Sequence, residues 1–103
     1  EVALGSYHVV TPRAEAQTSI NVTFNLFGAV LAEDESLFNE LFLSNEQRIR
    51  EQVLITMRGM TVTDFTDPNL GLIKRKILEK TNRALGKPLL HEAIISEFAF
   101  VER

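Results

Sequence analysis

The sequence predicts an α+β fold: a small antiparallel-containing sheet with helices on one face, in the order β-β-α-α-β. Three stretches point to it. Between Thr18 and Leu31, Ile20, Val22, Phe24 and Leu26 alternate with Ser19, Asn21, Thr23 and Asn25, the period of a half-buried antiparallel strand. From Leu70 to Leu85, apolar residues including Ile73, Ile77 and Ala84 recur at helical spacing and form one stripe. Leu89 to Val101 is rich in Ile, Phe and Val and long enough to cross a sheet. A one-faced helix delivered by a tight turn onto a last strand is the core-forming unit.

Taken in order, Leu4 to Val10 reads as a short strand closed by Thr11-Pro12, and Arg13 to Gln17 as a hairpin loop. The second strand follows, with Gly28 marking a bulge or its end. Asn21-Val22-Thr23 matches a glycosylation sequon, but inside a regular strand it is read as a chance match. Ala32 to Met60 is helical, with Glu33 and Asp34 near the positive end of its dipole. Phe38, Phe42, Ile49, Val53, Met57 and Met60 share one face, into which Glu46 intrudes. Ser44-Asn45-Glu46-Gln47 resembles a capping box, so the region is either two consecutive helices or one helix bent near Ser44. The unbroken apolar phase favours the bent helix, with Gly59 as terminator. Thr61 to Phe65 is read as an edge strand or as the connection to the next helix.

That helix starts at Asp67-Pro68, where Asp can accept a bond from an orphan N–H and Pro suits the first helical position. Gly86 supplies a left-handed stop, and Pro88 keeps the helix from running on. In the last strand, Phe98 and Phe100 are expected to be buried with Ile73, Ile77 and Leu85.

The chain has 103 residues, 45% of them hydrophobic and 24% charged, as expected for one globular domain with one core over 1–103. A net charge of −3 argues against broad nucleic-acid binding, which needs clustered Lys and Arg. The charge is uneven: residues 1–52 carry −5 and residues 53–103 carry +2. Having no Cys, the chain can form no disulfide and holds no thiolate nucleophile, which leaves the redox compartment open. Because Glu1 opens it, the sequence is read as a piece of a longer protein. No apolar run approaches the roughly 20 residues that span a bilayer, so any membrane anchor is expected upstream of residue 1.

Several segments together resemble the flagellar basal-body-associated protein FliL family. They are Ile49-Arg50-Glu51-Gln52-Val53-Leu54, Met60-Thr61-Val62-Thr63-Asp64-Phe65 and Leu72-Ile73-Lys74-Arg75-Lys76-Ile77. Thr81-Asn82-Arg83-Ala84-Leu85, Ser96-Glu97-Phe98-Ala99-Phe100 and the opening Leu4-Gly5-Ser6-Tyr7-His8-Val9-Val10 continue the match. The resemblance implies the periplasmic domain of a single-pass inner-membrane protein, with a stomatin/prohibitin (SPFH)-like fold. It also implies association with flagellar stator proteins (MotA/MotB type), self-association into a ring, and support of rotation and motility. The alternatives are a stomatin/prohibitin-like membrane scaffold not tied to flagella, and a small-ligand-binding or enzymatic domain.

The residues themselves suggest no reaction centre, and the expectation is a non-enzymatic protein without cofactor or metal. His8 and His91 are the only histidines, lack ligand spacing, and are read as structural or surface residues. Glu33-Asp34-Glu35 is explained by its place at a helix start. No GxSxG elbow or phosphate-cradling glycine loop is present.

The candidate interaction surface is Lys76, Lys80, Arg83 and Lys87 along one side of the penultimate helix, with Leu43 and Leu54 on the long helix as subunit-contact candidates. A solvated helix face accounts for the four cations. The functional reading is an electrostatic patch for an acidic partner or anionic headgroups, without the aromatic interleaving that nucleic acid would need. With opposite charge in the two halves, one subunit's acidic surface is expected to face its neighbour's basic helix.

Overall fold

In a computed structural model, which describes residues 1–13 and 16–103, three antiparallel strands form one sheet in the order β1-β2-β3. The strands are β1 (Val2–Arg13), β2 (Thr18–Val30) and β3 (Leu90–Glu102). Between β2 and β3 come a 3₁₀ turn (Ala32–Asp34) and helices α1 (Glu35–Arg58), α2 (Val62–Thr66) and α3 (Gly71–Leu85). The fold is therefore α+β, with the expected β-β-α-α-β order and one short added helix.

The first strand is longer than its apolar residues suggest. It continues through Thr11-Pro12 to Arg13, which pairs with Thr18. Pro12 is tolerated because β1 lies at the sheet edge, where a missing N–H interrupts no second ladder. Of the expected loop over 13–17, Ala14 and Glu15 lie outside the described residues.

Strict alternation holds along β2, where Ile20, Val22, Phe24 and Leu26 are all buried. Its neighbours need bulges to follow. The β1 register shifts between Ala3 and Gly5, where Gly5 takes φ +124°, so Leu4 and then Tyr7 and Val9 all face the helices. In β3 the register shifts opposite Thr23 and Asn25, and Glu97 takes the left-handed φ of 52°. That one extra residue moves the inward phase from Ala93 and Ile95 to Phe98 and Phe100. Gly28 is neither a bulge nor a strand end. It pairs regularly with both Val2 and Ala93, and a Cβ there would collide with the Leu90 side chain. Glycine is needed at 28 because the Leu90 side chain occupies that space.

Helix α1 is bent at Asn45 (φ −122°, ψ 15°). Ser44 and Asn45 do not form a capping box. The Ser44 hydroxyl donates to Glu40 O and the Asn45 carboxamide to Leu41 O, so both side chains bond the preceding turn. The expected core face is present: Phe38, Ile49, Val53, Met57 and Met60 are buried, and half-buried Phe42 stacks on Phe38 at 5.7 Å between ring centroids. Glu46 remains exposed.

Thr61 to Phe65 is neither an edge strand nor an irregular connection. Thr61 caps α2 reciprocally with Asp64: the Thr61 N–H donates to the Asp64 carboxylate at 2.9 Å, and the Asp64 N–H donates to the Thr61 hydroxyl. This box overrides the β-branched composition of the segment, and Phe65 is buried as a result. The start of α3 also shifts. Asp67 accepts from the N–H groups of Asn69 and Gly71, but a turn through Leu70 (φ 51°) separates Pro68 from the first helical residue. At the far end, Gly86 takes φ 82° and stops the helix as its sequence position implies.

Helices α1 and α3 cover one face of the sheet, and Leu26, Ile49, Ile73 and Ile77 are completely excluded from solvent at its centre. Phe98 and Phe100 are only half-buried. They pack against the cluster beside Phe65, with ring centroids 6.1 and 5.5 Å away, because β3 is an edge strand that the helices do not overhang completely.

A candidate basic interaction surface between two helices

The buried stripes of α1 and α3 determine which residues line the seam between them. Ile49 and Val53 of α1 are buried, so Arg48 and Gln52, one position earlier, lie at the edge of that stripe. Ile77, Thr81 and Ala84 of α3 are buried, which places Lys80 and Arg83 at the corresponding edge. Arg48, Gln52, Lys80, Arg83 and Ala84 together line a groove of about 340 Å³. Three cations from two helices converge there above a floor that includes a small side chain.

Neighbouring depressions extend the surface in both directions. Lys76 and Lys80 border one that also includes Ile55, Met60 and Asp64, whereas Arg83 and Lys87 border another beside Asn82 and Pro88. Lys76, Lys80 and Arg83 thus follow the helix seam. Lys87 lies beyond the helix: α3 ends at Leu85, and Lys87 sits in the turn after Gly86, still adjacent to Arg83. Among the described residues, the ion pair within 4 Å is Arg13 with Glu102, at 2.8 Å. The seam cations therefore have no carboxylate partner among the described residues.

The two leucines separate. Leu43 is 73% exposed on the first half of α1, whereas Leu54 is half-buried and packs against the core, which leaves it little surface to offer a partner. Arg48 and Gln52 were not picked out by the sequence reading. Their i, i+4 spacing next to Ile49 and Val53 sets both beside the buried stripe, and the packing of α1 on α3 makes that the α3 side.

Elsewhere, His8 and His91 are exposed on β1 and β3, and no group of three metal-ligating side chains occurs among the described residues. Glu33 and Asp34 lie in the 3₁₀ turn and Glu35 opens α1, with no side-chain capping bond from Asp34. Tyr7 is buried on the helix-facing side of β1. Burial raises its pKa above the ordinary 10.0, partly opposed by Arg50, whose guanidinium carbon lies 4.6 Å from the ring centroid. Its hydroxyl is buried without a hydrogen-bond partner among the described residues. On the open face of the sheet, Ser6 donates to Asn25, and Asn25 donates to Glu97, linking all three strands. No helix among the described residues is long and apolar enough to cross a membrane.

No protein-family model and no curated protein matches this chain.

Proposed function

We propose that the chain is a non-enzymatic interaction domain: the periplasmic part of a FliL-like flagellar basal-body protein that associates with stator units and supports rotation. In this reading the fold is the SPFH/stomatin-like one, and the basic seam between α1 and α3 is the working surface.

The observation that carries the reading is where the FliL-like segments fall. Each of four contains a residue on which the chain path depends. Thr61 and Asp64 close the capping box of α2, and Asn82 fastens the end of α3 to β3. Gly5 and Glu97 are the positive-φ residues at the β1 and β3 bulges. Several residues that the resemblance matches by pattern thus also set turns and register. The seam cations, which have no carboxylate partner among the described residues, further support a role in binding an acidic partner, by the rule that apposed surfaces match in charge.

Deleting this domain from its full-length protein tests the reading. Swimming in soft agar and the number of stator units retained at the motor should both fall. Unchanged swimming and stator retention would refute it.

A further inference from the structure

We propose that the Arg48–Lys80–Arg83 groove receives the acidic turn Glu33-Asp34-Glu35 of a second copy of this chain. The contact deepens the interaction-domain reading, on which it rests, by naming both of its surfaces.

The two surfaces match in number and sign, with three cations lining the groove and three carboxylates on the turn. Among the described residues, neither set is engaged within its own chain. The described residues contain no ion pair for either, and Asp34 makes no side-chain cap bond to the helix that it precedes. Leu31, next to the turn, is 49% exposed and supplies an apolar edge to the contact.

Geometry rules out a contact within one copy. Glu35 and Arg48 belong to the same helix, thirteen positions apart, which is about 20 Å of rise. No side chain spans that distance, so the groove of one copy is out of reach of its own turn. A contact between different patches of identical chains is heterologous: in one such contact each copy uses one of its two patches and leaves the other free. It propagates, and closes into a ring when the rotation between copies allows. Exposed ion pairs are individually weak and salt-screened, so the contact strengthens when copies share a membrane surface.

Charge exchange between two variants tests the contact. One carries Arg48→Glu with Arg83→Glu, and the other Glu33→Lys with Glu35→Lys; all four positions are solvent-exposed. Self-association is measured by sedimentation at low ionic strength and by cross-linking of copies tethered to vesicles, with circular dichroism to verify folding. Each variant alone should associate at least about tenfold more weakly than the wild type, because like charges then meet. An equimolar mixture should recover association, since every groove regains a turn of opposite sign. Association unchanged by either double reversal, or a mixture of folded variants that does not recover, overturns the contact. So does a wild-type chain that stays monomeric on vesicles. These outcomes bear on the contact alone, because the domain deletion decides the interaction-domain reading separately.

Discussion

Asn82 and Leu90 are joined twice: the Asn82 carboxamide donates to Leu90 O at 2.9 Å and accepts from Leu90 N–H at 2.9 Å. The last turn of α3 is thereby fastened to the first residue of β3, across the reversal made by Gly86 and Pro88. A side chain that satisfies a backbone donor and acceptor together takes the place of a strand partner just where the sheet begins. Asn82→Ala should therefore destabilise the fold by about 2 kcal/mol, since it removes two bonds and leaves part-buried backbone groups unpaired. Urea unfolding with an unchanged m-value measures this, and a midpoint equal to that of the wild type would dismiss the clamp.

Thr81, the adjacent residue, presents the opposite case. Its hydroxyl is buried with no hydrogen-bond partner among the described residues, and the side chain is 1% exposed. Thr81→Val keeps the shape and removes the orphaned group, so stability should rise by about 1 kcal/mol. A fall of similar size in thermal unfolding would mean that the hydroxyl has a partner in solution.

The Tyr7 phenol links stability to alkaline pH. With its folded pKa raised by burial above 10.0, the folded state holds the proton more tightly than the unfolded chain. The unfolded state binds fewer protons above pH 10, so stability is fully present below that pH and falls as pH rises further. Tyr7→Phe should keep the stack on Phe24, now at 5.3 Å, and show a shallower decline at alkaline pH. Parallel pH profiles for the two proteins would contradict the assignment.

Sheet packing yields two further expectations. Gly28→Ala should cost about 1–3 kcal/mol, because the added methyl overlaps the Leu90 side chain. Phe98→Ala should cost about 2 kcal/mol, below the range of roughly 3–5 for a completely buried aromatic, because part of its surface is already exposed at the sheet edge. Chemical denaturation of both variants measures these costs. A cost at Phe98 equal to a full core deletion would place that ring deeper than the sheet edge.

These residues also show how much of the fold could be read beforehand. The alternation of Ile20 to Leu26, the stripe from Ile73 to Leu85 and the Gly86 stop are local patterns, and local rules recover them. The bulges at Gly5 and Glu97 answer to tertiary demands: Leu4 with Tyr7, and Ile95 with Phe98, must all face the helices across odd spacings. A period-two reading has no means of placing such a shift. The short helix α2 was hidden because the β-branched Val62 and Thr63 suggest a strand, and the Thr61–Asp64 box decides otherwise. Four of the five cations of the basic surface, Lys76, Lys80, Arg83 and Lys87, were legible as a run of Lys and Arg along and just after one helix. Arg48 was not, because its contribution depends on how α1 crosses α3.

The basic seam is the part of the account on which function turns. Replacing Lys76, Lys80 and Arg83 together by Glu in the full-length protein tests it most directly, with assembly in membranes and swimming measured on the same cells. All three are on the helix surface rather than among the completely buried core residues, so the triple variant should fold. The account predicts folded protein that no longer assembles and cells that swim poorly. Folded triple-variant protein that assembles and supports swimming like the wild type would contradict it.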